Sequence, residues 1–227
     1  HKIHHIPVVD SKSRPIDIFL LDELHSKYNH ENTLVIMAGG FGKRLMPHTK
    51  SRPKPMIPIN GKPMLEHILV RAISQGISNF IISVFYLPDV IKDYFGNGEK
   101  WNTNISYLQE DNPLGTAGAL SLISETQTHP IIVTNGDLLT NIGYKEILDH
   151  HSKLDSKATM AVKDHEIQNP FGVVNAESFN ITGFEEKPIY RSLINAGVYV
   201  LDPLALGYLK EGEPCDMPVL FKRLLDD

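Results

Sequence analysis

Short apolar runs typical of strands alternate with stretches typical of helices from Thr33 onward, and this alternation constrains the fold more than any other feature. The apolar runs lie at 34–37, 80–85, 105–108 and 131–133, and the helical stretches at 64–75, 89–95, 118–124 and 144–151. Strands that alternate with helices form βαβ units around a mostly parallel sheet that is buried on both faces. We therefore expect an α/β fold with a Rossmann-like, mostly parallel sheet.

Short β-rich segments follow later in the chain, at 159–162, 172–175, 181–184 and 197–201. Their length and composition are typical of short strands rather than helices. They predict an antiparallel β extension of the sheet that carries part of the functional site.

The overall composition excludes several classes of protein. The 227 residues carry a net charge of −5, whereas domains that bind nucleic acid are usually basic. Cys215 is the only cysteine, so neither a disulfide framework nor a Cys-rich metal site is expected. No apolar run approaches the roughly 20 residues that cross a bilayer, and the first residues do not resemble a secretory signal. We expect a cytoplasmic protein with no nucleic-acid or membrane partner.

A glycine-rich turn directly follows the first of these strands, where open α/β sheets bind ligands. Glycines let the backbone approach a phosphate closely, and backbone amides that face one side bind anions. A guanidinium adds charge that matches phosphate oxygens. The candidate phosphate-binding residues are Ala38, Gly39, Gly40, Gly42, Lys43 and Arg44.

Two common phosphate-binding patterns do not fit this turn. A P-loop requires Ser or Thr after its lysine, but Lys43 is followed by Arg44. The dinucleotide-binding pattern requires a third glycine where Leu45 stands. The turn therefore belongs to another kind of phosphate site.

Prolines dominate the next segment, residues 47–59, and predict a stiff extended loop rather than a helix. Lys54 lies between Pro53 and Pro55, so a rigid loop would aim its ammonium group at a phosphate. The alternative is an ordinary solvated lysine, which most lysines are.

Together these residues resemble the signature of the sugar-1-phosphate nucleotidyltransferases. The resemblance implies a glycosyltransferase-A-like nucleotidyltransferase fold over residues 32–227, an enzyme of class EC 2.7.7.-, and an NTP and a sugar 1-phosphate as substrates. Two departures are Lys43, where the family usually has a small hydroxyl residue, and residues 46–48, where Arg-Pro-Leu is common. The matching positions are Met37-Ala38-Gly39-Gly40, Gly42, Arg44-Leu45, Pro47, Thr49, Pro53-Lys54-Pro55-Met56, Pro63 and Glu66.

Residues 109–120 form a polar strand end followed by a Gly-rich opening into a helix. Read alone, they indicate a helix N-terminus with Thr116 near the cap. The resemblance implies instead that this segment binds the nucleotide, with Gln109 and Gly115 near the base and Thr116 beside them.

Asp137 follows the buried-looking strand 131–134 in an Asn-Gly-Asp sequence that would otherwise indicate a turn. The resemblance implies that Asp137 binds Mg²⁺, a hard cation that prefers carboxylate ligands. A second carboxylate is expected from a W-x-D-x-G segment that this sequence does not contain, and Asp216 is a weak substitute. We therefore expect that the sequence lacks the natural C-terminal end of the domain.

The resemblance also assigns the acceptor side of the site. Glu186 would accept hydrogen bonds from sugar hydroxyls, Asn195 would close over the sugar, and Gly172 would line its pocket. Lys187 and Lys54 would contact phosphates on the acceptor side, and Arg44 would contact the leaving pyrophosphate. A sugar 1-phosphate is already an anion, so catalysis requires positioning and charge neutralisation rather than a general base.

Residues 1–31 resemble the closing part of a CBS domain followed by a linker, or else form a hairpin on the main domain. This segment resembles CBS-linked sugar guanylyltransferases, which implies GTP, glucosamine 1-phosphate and legionaminic acid biosynthesis for cell-surface glycans. Thymidylyl or uridylyl transfer and a non-catalytic sugar-nucleotide sensor stay open as alternatives. A homodimer and an adenylate ligand at a complete CBS domain also stay open.

Overall fold

The computed structural model describes residues 5–20, 30–42, 45–47 and 49–227. They form two compact units. The first unit contains the described residues up to Thr159 together with Tyr199–Asp227, and the second contains Met160–Val198.

The secondary structure alternates in the first unit and is β-rich in the second. The α-helices are α1 (Met64–Ser74), α2 (Pro88–Phe95), α3 (Gly115–Gly118), α4 (Tyr144–Lys153) and α5 (Met217–Leu225). The strands are β1 (His5–Val9), β2 (Pro15–Leu20), β3 (His30–Met37), β4 (Pro58–Ile59), β5 (Lys62–Pro63), β6 (Ile77–Val84), β7 (Asn104–Gln109), β8 (Ile131–Asn135), β9 (Ala158–Gln168), β10 (Val173–Glu177), β11 (Asn180–Glu185) and β12 (Ile189–Leu201).

The central sheet has six strands in the order β7-β6-β3-β8-β12-β9. Strand β3 pairs in parallel with β6 on one side and β8 on the other, and β6 pairs in parallel with β7. Leu34, Ile36 and Val133 are fully buried, as expected for strands covered on both faces. The expected α/β fold with a mostly parallel sheet is confirmed.

Helix α1 shows how the sequence builds this layer. Its apolar residues Leu65, Ile68, Leu69 and Ala72 recur at helical spacing and are all buried, and the helix contacts β6. Because strands β3, β6, β7 and β8 are parallel, they all end at the same edge of the sheet. The loops after β3, β7 and β8 meet at that edge.

Two local expectations were wrong. The helix expected at 118–124 is instead the short α3 followed by a 3-10 turn, Ala119–Leu122. The proline-rich loop contains a 3-10 turn at Lys54–Met56, which tolerates Pro55 because a proline in a first turn loses no hydrogen bond. Helix α5 was not predicted from the sequence.

The second unit contains an antiparallel hairpin, in which β10 pairs with β11. A second hairpin, formed by β1 and β2, lies near the N-terminus. Residues 1–4 and 21–29 of the predicted CBS-like tail and linker lie outside the described residues, and that domain assignment stays a prediction. Each of the described helices is too short or too polar to cross a membrane.

Candidate active site

A cavity of about 510 Å³ lies at the edge of the first unit where β3 and β8 end. Its lining combines the glycine-rich turn, the proline-rich loop, the start of α3 and the residues after β8. Among the lining residues are the predicted site residues Ala38, Gly39, Gly40, Gly42, Lys54, Gly115, Thr116 and Asp137. Lys43 and Arg44, also predicted to bind phosphate, lie outside the described residues.

The glycine-rich turn is fitted tightly against the proline-rich loop. Gly42 has a φ of +60°, and a Cβ placed there would lie 2.9 Å from Thr49 Cγ2 and 3.1 Å from Lys54 Cβ. Thr49 is fully buried, and its hydroxyl donates a 3.0 Å hydrogen bond to the carbonyl oxygen of Gly42. Gly42 is therefore required by both its conformation and its contacts.

Aromatic rings join the same two segments. The ring of Phe41 lines the cavity, with its centroid 5.2 Å from that of Phe85 and 5.6 Å from that of Tyr86. The Tyr86 hydroxyl donates to the carbonyl oxygens of Thr49 and Lys50, at 3.2 and 3.0 Å. This cluster holds the backbone of the glycine-rich turn in place.

Lys54 and Asp137 form an ion pair inside the cavity. Both side chains are 35% exposed, so solvent or a ligand can reach them. Gly136 places Asp137: its amide donates a 2.8 Å hydrogen bond to the Met37 carbonyl, and a Cβ there would lie 3.2 Å from Pro55 Cγ. The predicted phosphate-binding lysine and metal-binding carboxylate therefore lie side by side.

Glu110 is a cavity residue that the sequence reasoning missed. Its carboxylate is buried, with 5% of the residue exposed, and accepts hydrogen bonds from the Ser83 hydroxyl and the Leu114 amide, the latter at 2.9 Å. A Cβ on Gly39 would lie 2.5 Å from Glu110 Oε1, so the carboxylate touches the glycine-rich turn. A signal was available, since a carboxylate that immediately follows a strand lies at the ligand-binding edge.

Gln109, the neighbouring residue that was predicted to contact the base, has another partner. Its Oε1 accepts a 2.9 Å hydrogen bond from Lys92 Nζ. The end of β7 contributes Glu110 rather than Gln109 to the described cavity lining. A role for Gln109 at the base stays a prediction.

Glu66 of the matching signature supports the scaffold rather than the described cavity. It is 3% exposed and accepts hydrogen bonds from Lys62 Nζ at 2.8 Å and from the Tyr94 hydroxyl at 2.5 Å. Burial acts to raise the pKa of Glu66, but these two bonds and the charges of Lys62 and Lys100 lower it below its usual value. The bond to Glu66 also raises the pKa of Tyr94.

Asp216, the weak candidate for a second metal ligand, is used elsewhere. Its Oδ1 accepts hydrogen bonds from the amide and the hydroxyl of Thr116, at 3.1 and 3.3 Å. Within the described part of the chain, no group of three or more His, Cys, Asp or Glu residues could hold a metal ion.

The second unit contains the predicted sugar-binding residues. A Cβ on Gly172 would lie 3.1 Å from Glu186 Oε2, so these two residues are neighbours. Lys187 has a φ of +48°, and its Nζ lies 3.9 Å from Glu186 Oε1. Asn195 Oδ1 accepts a 2.9 Å hydrogen bond from the Gly197 amide. The sugar-binding roles of these residues stay predictions.

Comparison with known proteins gives one consistent result. Residues 33–217 match the model of the family described as nucleotidyl transferase. A mannose-1-phosphate guanyltransferase from Hypocrea jecorina is 34% identical over 182 residues, which are 76% of this chain and 50% of that protein. The chain thus spans about half the length of the curated relatives it matches.

Two solved structures are also similar. HddC from Yersinia pseudotuberculosis, complexed with GMP-PN, is 28% identical with a TM-score of 0.59 over 82% of each chain. A putative glucose-1-phosphate thymidylyltransferase from Bacillus anthracis, in complex with a sucrose, is 25% identical with a TM-score of 0.67. That match covers 86% of this chain and 82% of the other.

Proposed function

The chain belongs to the nucleotidyl transferase family, and from this premise we propose that it transfers a guanylyl group from GTP to a hexose 1-phosphate. The observation that carries the proposal is the Lys54–Asp137 ion pair within a cavity walled by the glycine-rich turn. Backbone amides and an ammonium group suit a triphosphate, and a carboxylate suits its counter-ion.

Glu110 supports guanine as the base. The Watson–Crick edge of guanine presents two adjacent N–H donors, and a carboxylate can accept both. Uracil and thymine present one N–H between two carbonyl oxygens, and a carboxylate would repel these oxygens. Each Glu110 oxygen accepts one hydrogen bond from the protein and keeps a lone pair for a ligand. A site built to bond N–H groups strongly rejects bases that lack them.

Mg²⁺ fits the donor chemistry of this cavity. Asp137 offers hard carboxylate oxygens and already neutralises a cation, Lys54. One carboxylate together with substrate phosphates is a common way to hold Mg²⁺. The chemistry supplied by the bound ion would be neutralisation of the triphosphate charge.

The reaction follows from the charges of the substrates. A phosphate oxygen of the sugar 1-phosphate attacks the α-phosphorus of GTP in line, a new P–O bond forms, and the bond to pyrophosphate breaks. Lys54 holds phosphate oxygens during this exchange, and the glycine-rich turn orients the triphosphate. Positioning and electrostatic stabilisation account for most of the rate enhancement in phosphoryl-type transfers.

Two acceptors deserve direct comparison. The similarity to mannose-1-phosphate guanylyltransferases favours mannose 1-phosphate, whereas the resemblance of residues 1–31 to CBS-linked enzymes favours glucosamine 1-phosphate. The resemblance likewise assigns Gly172, Glu186, Lys187 and Asn195 to the hexose. Pyrophosphate release from each NTP with a panel of hexose 1-phosphates would identify both substrates.

A Glu110→Gln variant tests the base assignment. We expect the kcat/KM for GTP to fall about 100-fold and the preference to move towards UTP and dTTP, because an amide offers one donor and one acceptor. Asp111→Asn is the matched control, since Asp111 is adjacent but exposed. An unchanged preference for GTP in Glu110→Gln would refute the role of Glu110. GTP binding without pyrophosphate release under all conditions would indicate the non-catalytic sensor.

A further inference from the structure

The start of helix α5 is bonded to the start of helix α3, although the two lie 100 residues apart in sequence. Asp216, the N-cap residue of α5, accepts hydrogen bonds from the amide and the hydroxyl of Thr116, at 3.1 and 3.3 Å. In return the Thr116 hydroxyl oxygen accepts a 2.8 Å hydrogen bond from the Met217 amide. Each helix start therefore satisfies backbone donors of the other.

Backbone bonds extend this contact. The Cys215 carbonyl accepts 2.9 Å hydrogen bonds from the amides of Ala117 and Gly118, and its amide donates a 2.9 Å bond to the Leu114 carbonyl. We name residues 215–217 the C-terminal clamp. Cys215 and Met217 are buried in it, with 6% and 0% exposed.

Glycines make this approach possible. A Cβ on Gly115, which has a φ of +78°, would lie 2.7 Å from Asp216 Oδ1 and 2.8 Å from the Cys215 carbonyl oxygen. A Cβ on Gly118 would lie 2.9 Å from the Cys215 amide nitrogen. The Leu-Gly-Thr-Ala-Gly sequence is therefore shaped to receive the C-terminal clamp as well as to line the cavity.

The segment held in this way is a wall of the nucleotide cavity. Gly115 and Thr116 line the cavity, and the Leu114 amide bonds to Glu110 on the same wall. Helix α3 has only four residues, too few to be stable by itself. Its position therefore depends on contacts from elsewhere in the fold. The C-terminal clamp supplies six hydrogen bonds, five to residues of α3 and one to the preceding Leu114.

We propose that Asp216 is a positioning residue for the nucleotide, which acts by holding the Gly115–Thr116 wall in its binding shape. The inference rests on the proposed function, because it takes GTP as the ligand of this wall. It assigns Asp216 a role through Thr116 rather than a contact with substrate or metal. Its loss should weaken nucleotide binding and leave the affinity for the sugar 1-phosphate unchanged.

The test compares three substitutions at one position. Asp216→Ala removes the acceptor for both Thr116 bonds, and we expect the Kd and KM for GTP to rise about tenfold, with kcat and the KM for the sugar 1-phosphate within about twofold. Asp216→Asn keeps an oxygen acceptor and should restore values close to the parent. Serine is a favoured residue at an N-cap position such as 216 but is too short to hold Thr116, so Asp216→Ser should bind GTP weakly even if Asp216→Ala fails to fold.

Calorimetric titration with GTP alone tests the proposed function and the proposed role of Asp216 separately. If the parent protein does not bind GTP, the proposed function fails. If the parent binds GTP and Asp216→Ser binds it equally well, the proposed role of Asp216 fails. A lower Tm in Asp216→Ala with an unchanged Kd for GTP would also overturn it, because that result indicates a structural role only. Asp226→Ala, at the opposite end of α5, is the control for changes in the helix itself.

Discussion

The two units present their candidate site residues in opposite ways. In the first unit, residues that support the cavity are buried, as Glu110 is at 5% exposed and Thr49 at 0%. In the second unit the side chains of Glu186 and Lys187 are 78% and 58% exposed. The cavity of the first unit is therefore supported by buried residues, whereas the predicted sugar-binding residues of the second unit are exposed.

This difference has a physical consequence. A preorganised wall binds without the entropic cost of ordering side chains, but a change to it disturbs the packing as well. Exposed side chains contribute little to folding and can be changed with little loss of stability. We expect some mutations in the first unit to lower activity and others to lower stability. Mutations in the second unit should change only the binding of the substrate.

Removal of Lys54 tests the chemistry of the first unit and has the largest expected effect. Lys54→Ala should lower kcat/KM about 1000-fold, because it deletes the ammonium group beside Asp137 that would hold phosphate oxygens. The Tm should stay within about 2 °C, since the side chain is partly exposed and the buried Met56 anchors the turn. Steady-state kinetics and thermal melting measure both quantities.

Lys50→Ala is the matched control for this change, because Lys50 is exposed in the same loop and its contact to Tyr86 uses only the backbone. A Lys54→Ala variant with near-normal activity would show that the ion pair is a surface feature. The first unit would then contain no demonstrated distinction between residues needed for activity and residues needed for stability.

Within the first unit, the elements whose structure depends on local sequence were predicted correctly, and those that depend on distant contacts were not. Strands β3, β6 and β8 are apolar because both faces are covered, so composition alone located them. The start of α3 was misplaced, since its amides bond to Cys215 and Asp216 about 100 residues away. No local pattern reports such a contact.

The candidate site residues also differ in whether local sequence predicted them. Gly42, Lys54 and Asp137 were predictable, because a glycine-rich turn, flanking prolines and a carboxylate after a strand are local features, and the structure brings them to one cavity. Glu110 was missed in favour of Gln109, because the two adjacent residues point to different surroundings. Glu110 directly follows β7, as Asp137 follows a strand, so the same local signal pointed to it and was not used.

Glu186 provides the test of the second unit, with an intermediate effect. Glu186→Ala should raise the KM for the sugar 1-phosphate about tenfold, because a lost hydrogen bond from a sugar hydroxyl to a carboxylate is worth roughly that factor. The KM for GTP and the Tm should not change, since the side chain is 78% exposed. Glu177→Ala, also exposed on this unit, is the control. A changed KM for GTP with an unaltered KM for the sugar 1-phosphate would contradict the assignment of the sugar to the second unit.

The smallest effect expected is a pH dependence of stability that originates in the first unit. His151 is 3% exposed and its Nδ1 lies 2.9 Å from Thr159 Oγ1. Burial lowers the pKa of His151, and the nearby charge of Asp202 offsets this only in part. The folded protein therefore favours the neutral ring, and the unfolded chain takes up a proton first as the pH falls. Stability should be complete above the ordinary histidine pKa of about 6.5 and should decrease below it.

Thermal melting at pH 7.5 and pH 5.5 measures this dependence, with each 1 kcal/mol lost lowering the Tm by about 2–4 °C in a domain of this size. A His151→Gln variant keeps a polar group near Thr159 but cannot titrate, so the difference between the two pH values should shrink. The interval from pH 7.5 to pH 5.5 excludes the titration of Glu66, because the pKa of Glu66 is lowered from its ordinary value and its contribution to stability is lost only at lower pH. His165→Gln, exposed on the second unit, should leave the difference unchanged. An equal effect of both substitutions would place the pH dependence outside the buried core and remove this contrast between the units.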